Sequence, residues 1–158
     1  MRSQKLSESY YDLLQSGRQS HGGVIRPSDL KMHVSKVARQ FSGYGQQDAQ
    51  EFLRFLLEGM HDELNRVTSK PKYQEINCDD KPVDEQSEIW YKYFRARDDS
   101  IISDLFEGQM CSTLTCSKCG YKSRTFDNFM DLSVSIPRKA YRYSGCALSI
   151  NECLSAFT

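Results

Sequence analysis

The apolar side chains of this chain change their repeat once, near residue 108, and that change limits what it can fold into. Before it they recur every three or four residues, the period of a helix with one buried face. Leu6, Tyr10, Leu13 and Leu14 predict a first helix over about residues 4–14, ended by Gly17 and the Gly22-Gly23 pair. Pro27-Ser28 opens a second, with Ser28 as N-cap and Leu30, Val34, Val37, Ala38 and Phe41 on one stripe. Ser42-Gly43-Tyr44-Gly45 breaks it. A third helix is predicted as continuous over residues 46–65, its face carrying Phe52, Phe55, Leu56, Met60 and Leu64, with Phe52, Leu56, Met60 and Leu64 buried and Leu53 and Leu57 widening the stripe. Gly59 lies inside it at about 1 kcal/mol against alanine, which points to a close neighbour or to plain tolerance. A polar, proline-punctuated connector over residues 69–84 leads to a fourth helix over 85–97, with Ile89, Trp90, Tyr93 and Phe94 on one side. Residues 100–106 predict a shorter turn carrying Ile101, Ile102 and Leu105.

Past Gly108 the repeat is two. Met110, Ser112, Leu114 and Cys116 alternate with Cys111, Thr113 and Thr115, as a strand requires, and Tyr121 to Phe126 can return as its partner. Leu132, Val134 and Ile136 alternate again until Pro137. Ser149 to Phe157 reads as the start of another helix. Helices followed by strands make the fold class α+β, with residues 1–107 as a helical portion and 108–158 as a β portion.

Charge and composition exclude some functions. Lysine plus arginine and aspartate plus glutamate number 21 each among 158 residues, so no basic surface is available for a dominant nucleic-acid role. No run of 18 apolar residues suggests a membrane span, and Glu8 and Asp12 interrupt the start where a secretory leader would need an apolar core. Tyr141, Arg142 and Tyr143 beside Lys139 read as a surface loop rather than a base-stacking platform. Trp90, Tyr93 and Phe94 read as packing rather than a ligand cage, since helical spacing accounts for them.

Of the six cysteines, only Cys116 and Cys119 are close, as Cys116-Ser117-Lys118-Cys119-Gly120. Two thiolates two residues apart can reach one tetrahedral ion, and a glycine after the second lets backbone groups approach the sulfurs. Zinc wants four ligands, and neither a second such pair nor a nearby histidine is present. The pair is therefore half a metal site, a redox pair or a coincidence of spacing. Scattered cysteines without a leader fit a reducing compartment, so the expected location is cytoplasmic, with a nuclear pool allowed.

Several ordered stretches together resemble one family. Gly43-Tyr44-Gly45-Gln46-Gln47-Asp48-Ala49-Gln50-Glu51-Phe52 resembles the glutamine-glutamine-aspartate box of the ubiquitin-specific proteases, peptidase family C19. Asp104-Leu105-Phe106-Glu107-Gly108-Gln109, the Cys116/Cys119 pair, Asp131-Leu132-Ser133 with Ile136-Pro137, and Cys153 to Thr158 are similar to its later segments, in order. The resemblance implies part of a papain-like cysteine protease fold: helical thumb over 1–107, then β fingers and palm over 108–158 with half a zinc ribbon. It implies ubiquitin and ubiquitinated proteins as partners, with no nucleic acid and no membrane. Asp48 and Glu51 would meet arginines in and near the ubiquitin tail, and Gln46 and Gln47 would support the cleft; on spacing alone the two acids are equally a solvated helix start. Cys116 and Cys119 would be two of four zinc ligands.

The implied activity is thiol-dependent hydrolysis of isopeptide or peptide bonds after the terminal glycine of ubiquitin. The family's cysteine and histidine boxes match nothing between Met1 and Thr158, so no catalytic residue is assigned and these 158 residues alone are expected to be inactive. Two other readings stand beside this one: a non-catalytic ubiquitin-binding or regulatory protein built on the same fold, and a zinc-ribbon nucleic-acid binder, which the charge balance disfavours.

Overall fold

The computed structural model describes residues 5–136 and 149–157. In chain order these form α1 (Lys5–Gln19), α2 (Ser28–Val37), a 3-10 turn (Arg39–Ser42), α3 (Ala49–Glu63), α4 (Val83–Arg97), α5 (Ile101–Phe106), β1 (Gly108–Thr115), β2 (Lys122–Phe129) and α6 (Ile150–Ser155). The α+β class is as expected from the change in repeat. Pro137, the Lys139 to Tyr143 cluster and Cys146 lie outside the described residues.

The core is built where the stripes of α1, α2, α3 and α5 converge. Leu6, Leu30, Val34, Ala38, Phe41, Leu56, Met60 and Ile102 are buried together, with Tyr10, Leu13, Phe52, Phe55, Leu57, Leu64 and Met130 packed around them. α2 does not run on to Phe41. At Ala38 the backbone turns extended (φ −127°), and the 3-10 turn drops Phe41 edge-on against Phe52 and Phe55, at 5.2 and 5.7 Å between ring centroids. Pro27, not Ser28, takes the N-cap position, and it makes no side-chain cap.

Other helix boundaries also differ from the sequence expectation. α1 continues through Gly17 to Gln19, and the reversal falls at His21 and Gly22, both at positive φ (43° and 93°). α3 starts at Ala49 rather than residue 46, because Asp48 is the N-cap: its Oδ1 accepts the Glu51 amide at 2.9 Å. Leu56 and Met60 of α3 are buried, whereas Phe52 and the C-cap residue Leu64 are half-buried. α4 begins two residues early, at Val83. Gly59 has the close neighbour: a Cβ there would stand 2.6 Å from Leu6 Cδ2, so glycine lets α1 seat on α3. In return α3 caps α1, since the Leu6 and Ser7 amides donate to the two oxygens of Glu63 at 3.1 and 2.9 Å.

α4 carries Trp90, Tyr93 and Phe94 as a half-buried ring cluster with centroids 5.6–5.9 Å apart. In α5 only one apolar side of the predicted turn is used: Ile102 is buried while Ile101 and Leu105 are exposed. Ser100 caps α5 reciprocally with Ser103, and its Oγ also meets His61 Nδ1 at 2.7 Å. Arg95, on α4, pairs with Asp99, Asp104 and Glu107, and Arg66 pairs with Asp99 and Asp104, tying the ends of α3, α4 and α5 together.

β1 and β2 form an antiparallel hairpin in the register Gly108↔Phe129 to Thr115↔Lys122. It packs on α4 at its base, and from Met110 onward β1 is exposed. Leu132, Val134 and Ile136 are not a third strand: residues 131–136 have no regular structure, although the three are alternately less exposed than their serine neighbours or level with them. Among the described residues no helix is long and apolar enough to cross a membrane.

Candidate functional site

The loop leading to α3 and the first turns of α3 are each tied to another part of the chain. Lys31 of α2 donates to the Gly43 carbonyl at 2.7 Å and stands 4.7 Å over the Tyr44 ring, fixing the Ser42–Gly45 loop against α2. Ser35 adds a hydrogen bond from its hydroxyl to the Phe41 carbonyl. On α3 itself, Asp131, just past β2, accepts Gln50 Nε2 at one oxygen and pairs with Arg54 Nε at 3.4 Å through the other. Met130 beside it packs on the core, so the chain leaving the hairpin is fixed next to the first turns of α3.

Of the residues singled out in the sequence, Asp48 and Glu51 come together in this first turn and are both exposed. Asp48 spends one oxygen on its cap, and neither acid has an ion pair among the described residues. Gln46 and Gln47 are exposed in the irregular segment just before the helix, not on it. The arrangement is a small acidic edge on a capped helix start, able to take a guanidinium or ammonium from a partner. Gln50, Arg54 and Asp131 lie beside it, and their mutual contacts were not found from sequence. Gln50 and Arg54 are four apart and so share a helix face, but nothing local points to a partner 81 residues away.

Cys116 and Cys119 sit apart from this edge, in the turn between β1 and β2. The Cys116 amide donates to the Tyr121 carbonyl at 2.8 Å and the Gly120 amide to the Cys116 carbonyl at 2.9 Å, with Gly120 at φ +72°. The Cys119 amide, then that of Lys118, then the Cys119 side chain hold the Cys116 thiol below its ordinary value. Amides turned on a sulfur favour thiolate, the form that binds metal. The turn therefore suits half a thiolate site, and no group of three or more ligand side chains is assembled among the described residues. Cys111 stands elsewhere on β1, within 3.8 Å of Thr113 Oγ1, while Cys78 and Cys153 are buried. The Tyr121 hydroxyl donates to Asp79 at 2.8 Å and ties the turn to the connector.

The family model for ubiquitin carboxyl-terminal hydrolases matches residues 1–150. The chain belongs to the ubiquitin carboxyl-terminal hydrolase family. It is 45% identical over 155 residues to ubiquitin carboxyl-terminal hydrolase 2 of Homo sapiens, covering 97% of this chain and 25% of that protein. Ubiquitin carboxyl-terminal hydrolase 2 of Gallus gallus is 47% identical over 134 residues, covering 85% of this chain and 36% of the relative. Putative ubiquitin carboxyl-terminal hydrolase 11 of Arabidopsis thaliana is 43% identical over 138 residues, 87% of this chain and 16% of its own length. The chain thus spans about a quarter to a third of the hydrolase 2 relatives. Cysteine-type deubiquitinase chemistry is the family's association, and the α+β fold is that of part of a papain-like hydrolase domain.

Proposed function

We propose that this chain is the ubiquitin-holding part of a cysteine-type deubiquitinase that cleaves after the terminal glycine of ubiquitin, and that alone it turns nothing over. The observation that carries the proposal is the exposed Asp48/Glu51 edge on a helix start tied to Asp131 through Gln50 and Arg54, in a chain matched to the family almost throughout. A basic tail answered by two carboxylates is oriented as well as attracted. Gln46 and Gln47, in the segment leading into that edge, would line the same tail. Cys116 and Cys119 would give two thiolates to a structural zinc completed by two further ligands, and the parent enzyme would work in the cytoplasm with a nuclear pool.

Titration of the chain with ubiquitin, followed by amide NMR, tests the ubiquitin reading. Shifts should centre on residues 46–54, and Glu51→Gln should weaken binding about 10- to 100-fold, as losing one charge-assisted hydrogen bond does. Unchanged affinity in Glu51→Gln and Asp48→Asn together would overturn it. A fluorogenic ubiquitin C-terminal amide should not be cleaved; turnover lost on replacing one cysteine of this chain would reveal a nucleophile here. Metal content under reducing conditions tests the zinc reading, and one tightly held zinc per monomer would sink the two-ligand assignment.

A further inference from the structure

Arg54 follows Glu51 by three residues on α3, a spacing at which the two side chains reach one another and pair. Such a pair would cancel the charge that the acidic edge presents. It is not made: Arg54 Nε is turned to Asp131 at 3.4 Å, and the other Asp131 oxygen accepts Gln50 Nε2. Asp131 enters from a segment 81 residues away, anchored by Met130 in the core. Arg54 and Asp131 are both well exposed, at 64% and 37%, so the pair adds little to stability. Its consequence is instead which carboxylate the arginine neutralises.

We propose that Asp131 is a positioning residue for ubiquitin recognition: it draws Arg54 away from Glu51 and so keeps the Glu51 carboxylate available to a cationic partner group. The inference rests on the reading of Glu51 as a ubiquitin contact. It assigns a recognition role to a residue that touches no ubiquitin, and it makes a distinctive claim about epistasis. When Asp131 is removed, Arg54 falls back on Glu51 and competes with the incoming guanidinium. When Arg54 is removed as well, the competition ends.

The experiment is a ubiquitin titration of the 158-residue chain as wild type, Asp131→Ala, Asp131→Ala/Arg54→Gln and Glu51→Gln, with circular dichroism to confirm folding. Asp131→Ala should weaken binding about two- to fivefold, the scale of one helical ion pair and somewhat more. The double variant should recover wild-type affinity. A purely structural role for Asp131 predicts no recovery, and that result overturns the proposal. If Glu51→Gln leaves affinity unchanged, the ubiquitin reading itself fails. A second measurement stands without ubiquitin: the Arg54 Nε NMR resonance should ignore Glu51→Gln in the wild type and respond to it once Asp131 is alanine. A resonance that responds in both backgrounds, or in neither, refutes the diversion of Arg54.

Discussion

Asp48 does two jobs that substitution can separate. Its Oδ1 closes the first turn of α3, and its charge contributes to the acidic edge. Asp48→Asn keeps an acceptor at the cap and removes only charge, whereas Asp48→Ala removes both and should cost about 1 kcal/mol of stability. Thermal unfolding of the two variants checks this: only alanine should lower the midpoint, by about 2–4 °C. The cap was missed in the sequence, although its signal is there. An aspartate three residues before a glutamate, followed by an apolar run, is a helix-start signature, and it places the boundary at Ala49 rather than residue 46. Gly59 gives a second contrast. Alanine gains about 1 kcal/mol of helix propensity, yet its Cβ would strike buried Leu6, and overpacking of this kind costs about 1–3 kcal/mol. Gly59→Ala should therefore lower the unfolding midpoint. Gly17→Ala, whose Cβ would meet only partly exposed Ile25 at 3.3 Å, should leave it level or raise it.

Among the elements, the junction of α3, α4 and α5 has a dependence on pH with a definite sign. Hydrogen bonds from Arg66 and then Arg95 hold the Asp104 carboxyl below its ordinary value. Burial alone would raise Asp98, but hydrogen bonds from Lys70 and Asn65 outweigh it and leave this carboxyl lowered too. Groups depressed in the folded state contribute stability that is whole above the unfolded carboxylate value of about 3.9 and lost as pH falls below it. Thermal unfolding from pH 7 to pH 3 should show that loss, and Asp104→Asn should start lower and fall less steeply; an identical slope would refute the assignment. The elements differ in how far sequence reveals them. The α3 stripe and the hairpin are local patterns, and both were readable. The break at Ala38 was not, because it depends on the distant Phe52 and Phe55 rings, and neither was the irregular backbone of residues 131–136, because alternation alone does not make a strand without hydrogen-bonded neighbours. The contacts of Asp131 with Gln50 and Arg54 were hidden as the break at Ala38 was, by distance along the chain.

Across the whole molecule, burial is uneven. The described core lies between α1, α2, α3 and α5, while the two-stranded hairpin is largely exposed from Ser112 to Thr125 and buries Phe126 nearer its base. A lone hairpin is at best marginally stable in water. Amide hydrogen exchange should therefore proceed in two stages, with Ser112 to Arg124 exchanging well before Leu56 and Met60 of α3. Zinc added under reducing conditions should slow the first stage and leave the second unchanged, if the turn is half a thiolate site. Simultaneous exchange of both regions would contradict this division.

Gly108 begins the hairpin with no side chain, and a Cβ there would stand 2.7 Å from the Phe129 ring that faces it. That close approach sets the angle at which the hairpin leaves its root. Seven intervals of strand carry its tip about 24 Å away, so a tilt of about ten degrees swings the cysteine turn by about 4 Å. A change of angle where the far end of the Phe129 ring meets Gly108 is amplified at the cysteine turn, against the Tyr121–Asp79 hydrogen bond that ties it to the connector, and even one methyl group on Gly108 would press on that ring.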